Sequence, residues 1–121
     1  MECKKFKYKE YKNCYFEVGN YKNNSQSMFI QIKNNVKGNI RTVTANMKDY
    51  LYMPDTATIK NYSENKGMTK LLEKLGIIET IYTRRKCHPY ASDNETIDFC
   101  QINVDKLKEY SKEFNYEWDI E

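Results

Sequence analysis

Glycine and proline are scarce in this 121-residue chain, at four and two residues, a balance that excludes collagen-like repeats and mucin-like stalks. The glycines, Gly19, Gly38, Gly67 and Gly76, form neither a Gly-x-Gly-x-x-Gly nor a Walker pattern, so no phosphate-cradling loop is encoded. Histidine occurs once, at His88. No stretch approaches the roughly 18 consecutive apolar residues of a membrane span. The opening Met1-Glu-Cys-Lys-Lys-Phe-Lys7 also lacks the apolar core of a secretory signal. A cytoplasmic protein without membrane contact is therefore expected, and its four cysteines, Cys3, Cys14, Cys87 and Cys100, should be free thiols.

What is present argues for an ordered core. Hydrophobic residues make up 40% of the chain and charged residues 31%, which is against disorder, and the length suits a single domain over residues 1–121. The 11 tyrosines and 13 asparagines read as an A/T-rich coding bias as much as selection for chemistry. A net charge of +3 is too slight to announce nucleic acid. The two ends of the chain differ in sign, with Lys4, Lys5, Lys7, Lys9 and Lys12 near the start and Asp105, Glu109, Glu113, Glu117, Asp119 and Glu121 near the end. The pattern reads as solvated faces that attract each other, or as a dipolar surface that steers a large charged partner.

Cys14, Phe16 and Val18 alternate with Tyr15 and Glu17, and Met28, Ile30 and Ile32 alternate with Phe29, Gln31 and Lys33; each run predicts a strand. Asn34-Asn35 and Gly38-Asn39 tolerate positive φ and should close a hairpin onto a third strand over Ile40–Met47. Lys48–Asp55 reads as a loop, followed by a short strand at Thr56–Ile59. Met68, Leu71, Leu72 and Leu75 fall on one face of a helix, with Asn61 as cap and Glu64 completing a capping box, Ser63 as a competing cap, and Gly76-Ile77 as a Schellman closure. Ile77–Thr83 carries apolar groups on both faces and reads as a central strand. Arg84–Glu95 reads as an irregular loop and Thr96–Ile102 as the last strand. Asn103 or Asp105 should cap a final helix with Leu107, Tyr110, Phe114 and Trp118 along one stripe. The element order gives an α+β fold, with a largely antiparallel sheet and two helices packed on one face.

The segment Ser63-Glu-Asn-Lys-Gly-Met68 and the Gly76-Ile77 that closes its helix resemble a family of small uncharacterised proteins encoded by phages, prophages and conjugative elements. The likeness covers roughly residues 28–103, and beyond the helix it is one of pattern. The family brings no catalytic residues to transfer. What the resemblance implies is context: small accessory proteins of mobile elements, working in the cytoplasm of a bacterial host, often block host defence by occupying the surfaces of its proteins, CRISPR nucleases included.

No catalytic constellation stands out. Cys87, His88 and Cys100, with Cys14 or Cys3, number enough for four-coordinate zinc, yet there is no Cys-x-x-Cys knuckle and adjacent ligands sit awkwardly at one metal. A Cys87–His88 nucleophile pair lacks an orienting third group from a separate segment. Asp93, Glu95 and Asp98 are acids of a kind such segments carry routinely. No metal or other cofactor is expected. The best binding candidate is Arg84-Arg85-Lys86 with Tyr90, since arginine offers planar multi-donor contacts and aromatics can stack. Tyr50 and Tyr52 form a second candidate, because tyrosine is enriched at interface centres, with core packing as the competing reading. Two functions fit. One is a non-enzymatic inhibitor that binds a host defence protein, such as a CRISPR effector nuclease, and blocks its access to nucleic acid. The other is a small nucleic-acid- or nucleotide-binding protein.

Overall fold

Alternation in the first half of the chain builds one sheet, and apolar segments of the second half build another. The computed structural model describes residues 3–22, 24–47 and 52–118. The first sheet contains β1 (Phe6–Tyr8), β2 (Tyr11–Tyr21), β3 (Asn24–Asn34) and β4 (Gly38–Thr42), in that order and antiparallel. Phe16 pairs with Ile32 and Val18 with Ile30 across β2 and β3, and all four side chains are buried. This is the alternation the sequence predicts. Asn34 turns the next hairpin: its Oδ1 accepts from the backbone N–H groups of Val36 (3.2 Å) and Lys37 (2.7 Å).

The expected third strand, Ile40–Met47, is only partly a strand of this sheet. After Thr42 the chain switches partners: Val43 N–H donates to Ile30 O at 2.8 Å, whereas Ala45 N–H donates to Thr58 O at 2.9 Å and Lys60 N–H to Val43 O at 2.9 Å. Residues 43–45 thus stitch the first sheet to the second. That second sheet consists of β5 (Thr56–Asn61), β6 (Ile78–Lys86) and β7 (Thr96–Ile102), antiparallel in the order β5-β7-β6. The central place therefore belongs to β7, not to the Ile77–Thr83 segment. The β6 strand is an edge, with register breaks between Ile78 and Thr80 and between Ile81 and Thr83, and its Glu79, Thr80, Thr83, Arg84 and Arg85 are exposed. Thr96-Ile-Asp-Phe-Cys-Gln-Ile102 fills both faces of the middle strand instead.

Between β5 and β6 runs a 3-10 turn, Ser63–Asn65, and the helix α1 (Met68–Lys74). Asn61 is not the N-cap expected of it, which is Gly67; it reaches forward from β5 instead, its Oδ1 accepting from Gly67 N–H (3.2 Å) and Thr69 N–H (3.1 Å). The capping box does not form: the Glu64 carboxylate accepts from the Ser63 hydroxyl at 2.8 Å. Instead Gly67, at φ +90°, makes the bend into a shorter helix. At the other end Ile77 N–H reaches Leu72 O at 2.9 Å and Gly76 N–H reaches Glu73 O at 3.0 Å, the paired bonds of a Schellman closure. α1 lies against β5 and β6, and its Met68 and Leu72 join Phe16, Ile30, Ile59 and Ile102 in one buried cluster.

The last expectation corrected is the long final helix. α2 spans only Val104–Glu109, capped by Asn103 Oδ1 accepting from Lys106 N–H at 3.1 Å. The chain then forms β8 (Ser111–Phe114), which pairs parallel to β2 from Phe16↔Ser111 to Val18↔Phe114. The stripe Leu107, Tyr110, Phe114 and Trp118 is also compatible with a strand-like tail, because Phe114, Tyr116 and Trp118 are spaced by two. The unpaired backbone of β2 decides between them. Hence β1 and β8 divide one edge of β2, while β3 takes the other.

Candidate functional site

Asp98 is the anchor of a cleft between α1 and the second sheet. An acid on the buried face of a central strand must be paired, and Asp98, 0% exposed, has two partners. The Thr69 hydroxyl of α1 donates to its Oδ2 at 2.6 Å. Arg84 of β6 donates through Nε to Oδ1 at 3.0 Å and through Nη2 to Oδ2 at 3.3 Å. This bidentate pairing sets the guanidinium in one orientation, and the hydrogen bond to Asp98 is the main cause that raises the Arg84 pKa. The Arg84 side chain remains 49% exposed, so its outer donors border solvent.

Around this pair opens a cleft of about 260 Å³ lined by Asn61, Lys66, Lys70, Glu73, Arg84 and Asp93, among others. Asn61 fixes one wall, since its side chain both accepts from the Gly67 and Thr69 N–H groups at the start of α1 and donates to Thr96 Oγ1 at 3.2 Å. Lys66 and Lys70 bring two further cations. Glu73 and Asp93 temper them, and Asp93 forms an ion pair with Lys86 at 3.3 Å. The arrangement offers one oriented guanidinium, Arg84, with two lysines lining the same cleft, a combination that accepts carboxylate or phosphate groups.

The predicted binding residues fall in several places. Arg84, Arg85 and Lys86 lie on β6 rather than in a loop, paired with Asp98, Ile97 and Thr96 in unbroken register. Strand alternation therefore splits the basic triplet, with Arg84 and Lys86 toward α1 and Arg85 on the opposite face. Tyr90 is 95% exposed in the loop after β6, where its N–H donates to His88 Nδ1 at 3.2 Å. Tyr52 is 3% exposed, and its hydroxyl meets Thr58 Oγ1 at 2.7 Å and accepts from Met47 N–H at 3.0 Å; core packing fits that placement. Tyr50 lies outside the described residues.

The thiols are dispersed. Cys14 and Cys100 are buried, and burial pushes the Cys100 thiol up to about 12 and the Cys14 thiol up as well. Among the described residues no group of three or more His, Cys, Asp or Glu side chains is placed to hold a metal ion.

Asp98, Thr69, Lys66 and Lys70 were not singled out from sequence as binding groups. One signal existed: Asp98 shares a side of Thr96–Ile102 with Cys100 and Ile102, and an acid there implies a buried counter-ion. The lysines gave none, because only the turn into α1 brings them over the sheet. No family model, curated protein or solved structure matches this chain. No helix among the described residues is long and apolar enough to cross a membrane.

Proposed function

We propose that the protein is a non-enzymatic inhibitor carried by a phage or mobile element, which binds a host defence protein, a CRISPR effector nuclease in the first instance, and blocks its access to nucleic acid. The observation that carries this reading is the Arg84 guanidinium, held by buried Asp98 and half open to solvent in a cleft that Lys66 and Lys70 also line. An arginine already fixed in one rotamer loses little freedom when a partner's carboxylate docks on it, and oriented arginines are common energetic centres of interfaces. In this reading the two helices sit on one face of the second sheet, supported by the approach of Lys106 in α2 to Gly76 at the end of α1, and the cleft beside them is the contact surface. The resemblance of Ser63–Met68 to proteins of mobile elements supplies the setting.

The test is a pull-down of the tagged protein from host lysate followed by a nuclease assay with the captured effector. The parent protein should protect the substrate, and Lys66→Glu with Lys70→Glu should abolish protection while the fold, monitored by thermal melting, persists. Full protection by that double variant, or no protection by the parent against any defence nuclease tried, removes the proposal.

A further inference from the structure

The face of the second sheet turned away from α1 carries a row of rings. Phe99 of β7 stands in the middle. Tyr52 meets it edge-on with centroids 5.8 Å apart at 70°, and Tyr82 of β6 lies 5.9 Å away, tilted by 43°. Two hydrogen bonds lock the outer rings: Tyr52 to Thr58 at 2.7 Å and the Tyr82 hydroxyl donating to Gln101 Oε1 at 2.8 Å. Phe99 is half-buried and Tyr82 46% exposed, so each presents ring surface to solvent, and neither stacks flat on the other.

The next cross-strand row on this face is Lys60, Ile97 and Arg85, set by the pairings Lys60↔Ile97 and Arg85↔Ile97. Its two outer positions are cations, Lys60 and Arg85. Lys60 Nζ also lies over the Tyr62 ring, 5.9 Å from its centroid. Preorganised rings beside a row of cations are the elements with which proteins hold unpaired bases and their phosphates.

We propose that this face binds single-stranded DNA, with Phe99 and Tyr82 stacking on neighbouring bases and Lys60 and Arg85 meeting the phosphates. DNA is favoured over RNA because Gln101, the amide beside the rings, is engaged at both ends, by Tyr82 at Oε1 and by donation from Nε2 to Asp55 O at 3.2 Å. These two bonds hold the amide between Tyr82 and Asp55, which commits one acceptor and one donor to the protein's own groups ahead of a 2′-hydroxyl. The face is separate from the Arg84 cleft, so this inference stands or falls independently of the proposed inhibition.

Fluorescence anisotropy with a labelled thymidine oligomer of about twelve nucleotides tests it. Binding should weaken with salt, and Lys60→Gln with Arg85→Gln should flatten the log K against log salt slope by about 0.7 for each cation removed. Phe99→Leu, which keeps an apolar side chain, and Tyr82→Ala should each lower affinity about tenfold or more. Val36→Ser, at an exposed position in the turn between β3 and β4, should leave it unchanged. The inference is overturned by any of three results: no binding of the oligomer at about 50 mM salt, undiminished binding by both ring variants with parental melting behaviour, or equal affinity for the corresponding duplex. A uridine oligomer bound more than about tenfold tighter overturns the assignment to DNA.

Discussion

Arg84 and Asp98 face each other across β6 and β7, one side chain half exposed and the other sealed from solvent. The pairing joins three elements, because Thr69 of α1 shares the same carboxylate. It makes Arg84 a structural residue as well as a candidate contact.

Removing the arginine therefore strands a buried acid with one remaining partner. Arg84→Met should cost about 1–3 kcal/mol in urea unfolding, toward the lower end because the guanidinium is partly solvated. Asp98→Asn in the same background should recover part of the loss, since the amide needs no counter-charge. An Arg84→Met protein as stable as the parent would mean that the ion pair contributes nothing net.

Gly76 ends α1 at φ +79°. An alanine there must adopt the left-handed region, at roughly 1–2 kcal/mol, and its Cβ would stand 3.3 Å from the flexible Lys106 Cε. Gly76→Ala should lower the urea midpoint accordingly without changing the slope of the transition.

The cysteines should divide by burial. In native protein Cys3 and Cys87, both partly exposed, should react with a thiol reagent, while Cys14 and Cys100 should react only after denaturation. Fast labelling of Cys100 by mass spectrometry would contradict both its burial and its raised pKa.

Lys4 and Glu109 tie the start of the described chain to the end of α2. Their side chains meet at 2.7 Å, and the hydrogen bond from Lys4 holds the Glu109 carboxyl below its ordinary value of 4.5. A depressed folded-state pKa means that the contribution is present above the unfolded value and fades as pH falls through the folded one. Glu109→Gln should therefore be destabilising at about pH 7 and neutral at about pH 3 by urea midpoint. A difference that grows toward acid would reverse the sign and defeat the assignment.

Local rules made much of the fold legible. Cys14, Phe16 and Val18 and then Met28, Ile30 and Ile32 announce their strands because each apolar set shares one buried face. Gly76 and Ile77 announce the end of α1 because a Schellman closure is made of local hydrogen bonds. What escaped depends on distant partners. Ser111–Phe114 is a strand because β2 has vacant backbone groups near Val18, and a helical stripe cannot report that. Arg84–Lys86 reads as loop by polarity, yet it is strand because Asp98, Ile97 and Thr96 stand opposite. The site was half visible for the same reason: Arg84 is conspicuous in sequence, whereas Lys66 and Lys70 acquire meaning only once the turn at Gly67 brings them to the cleft.

The shared edge of β2 also sets an order of assembly. Phe16 waits for Ser111 and Val18 for Phe114, so a chain growing on a ribosome holds that flank open until residues 111–114 have emerged. Closing so long a loop is slow compared with forming the neighbouring hairpins. The first sheet should thus be the last part of the molecule to mature, and the flank beside Phe16 its point of greatest vulnerability to mispairing during synthesis.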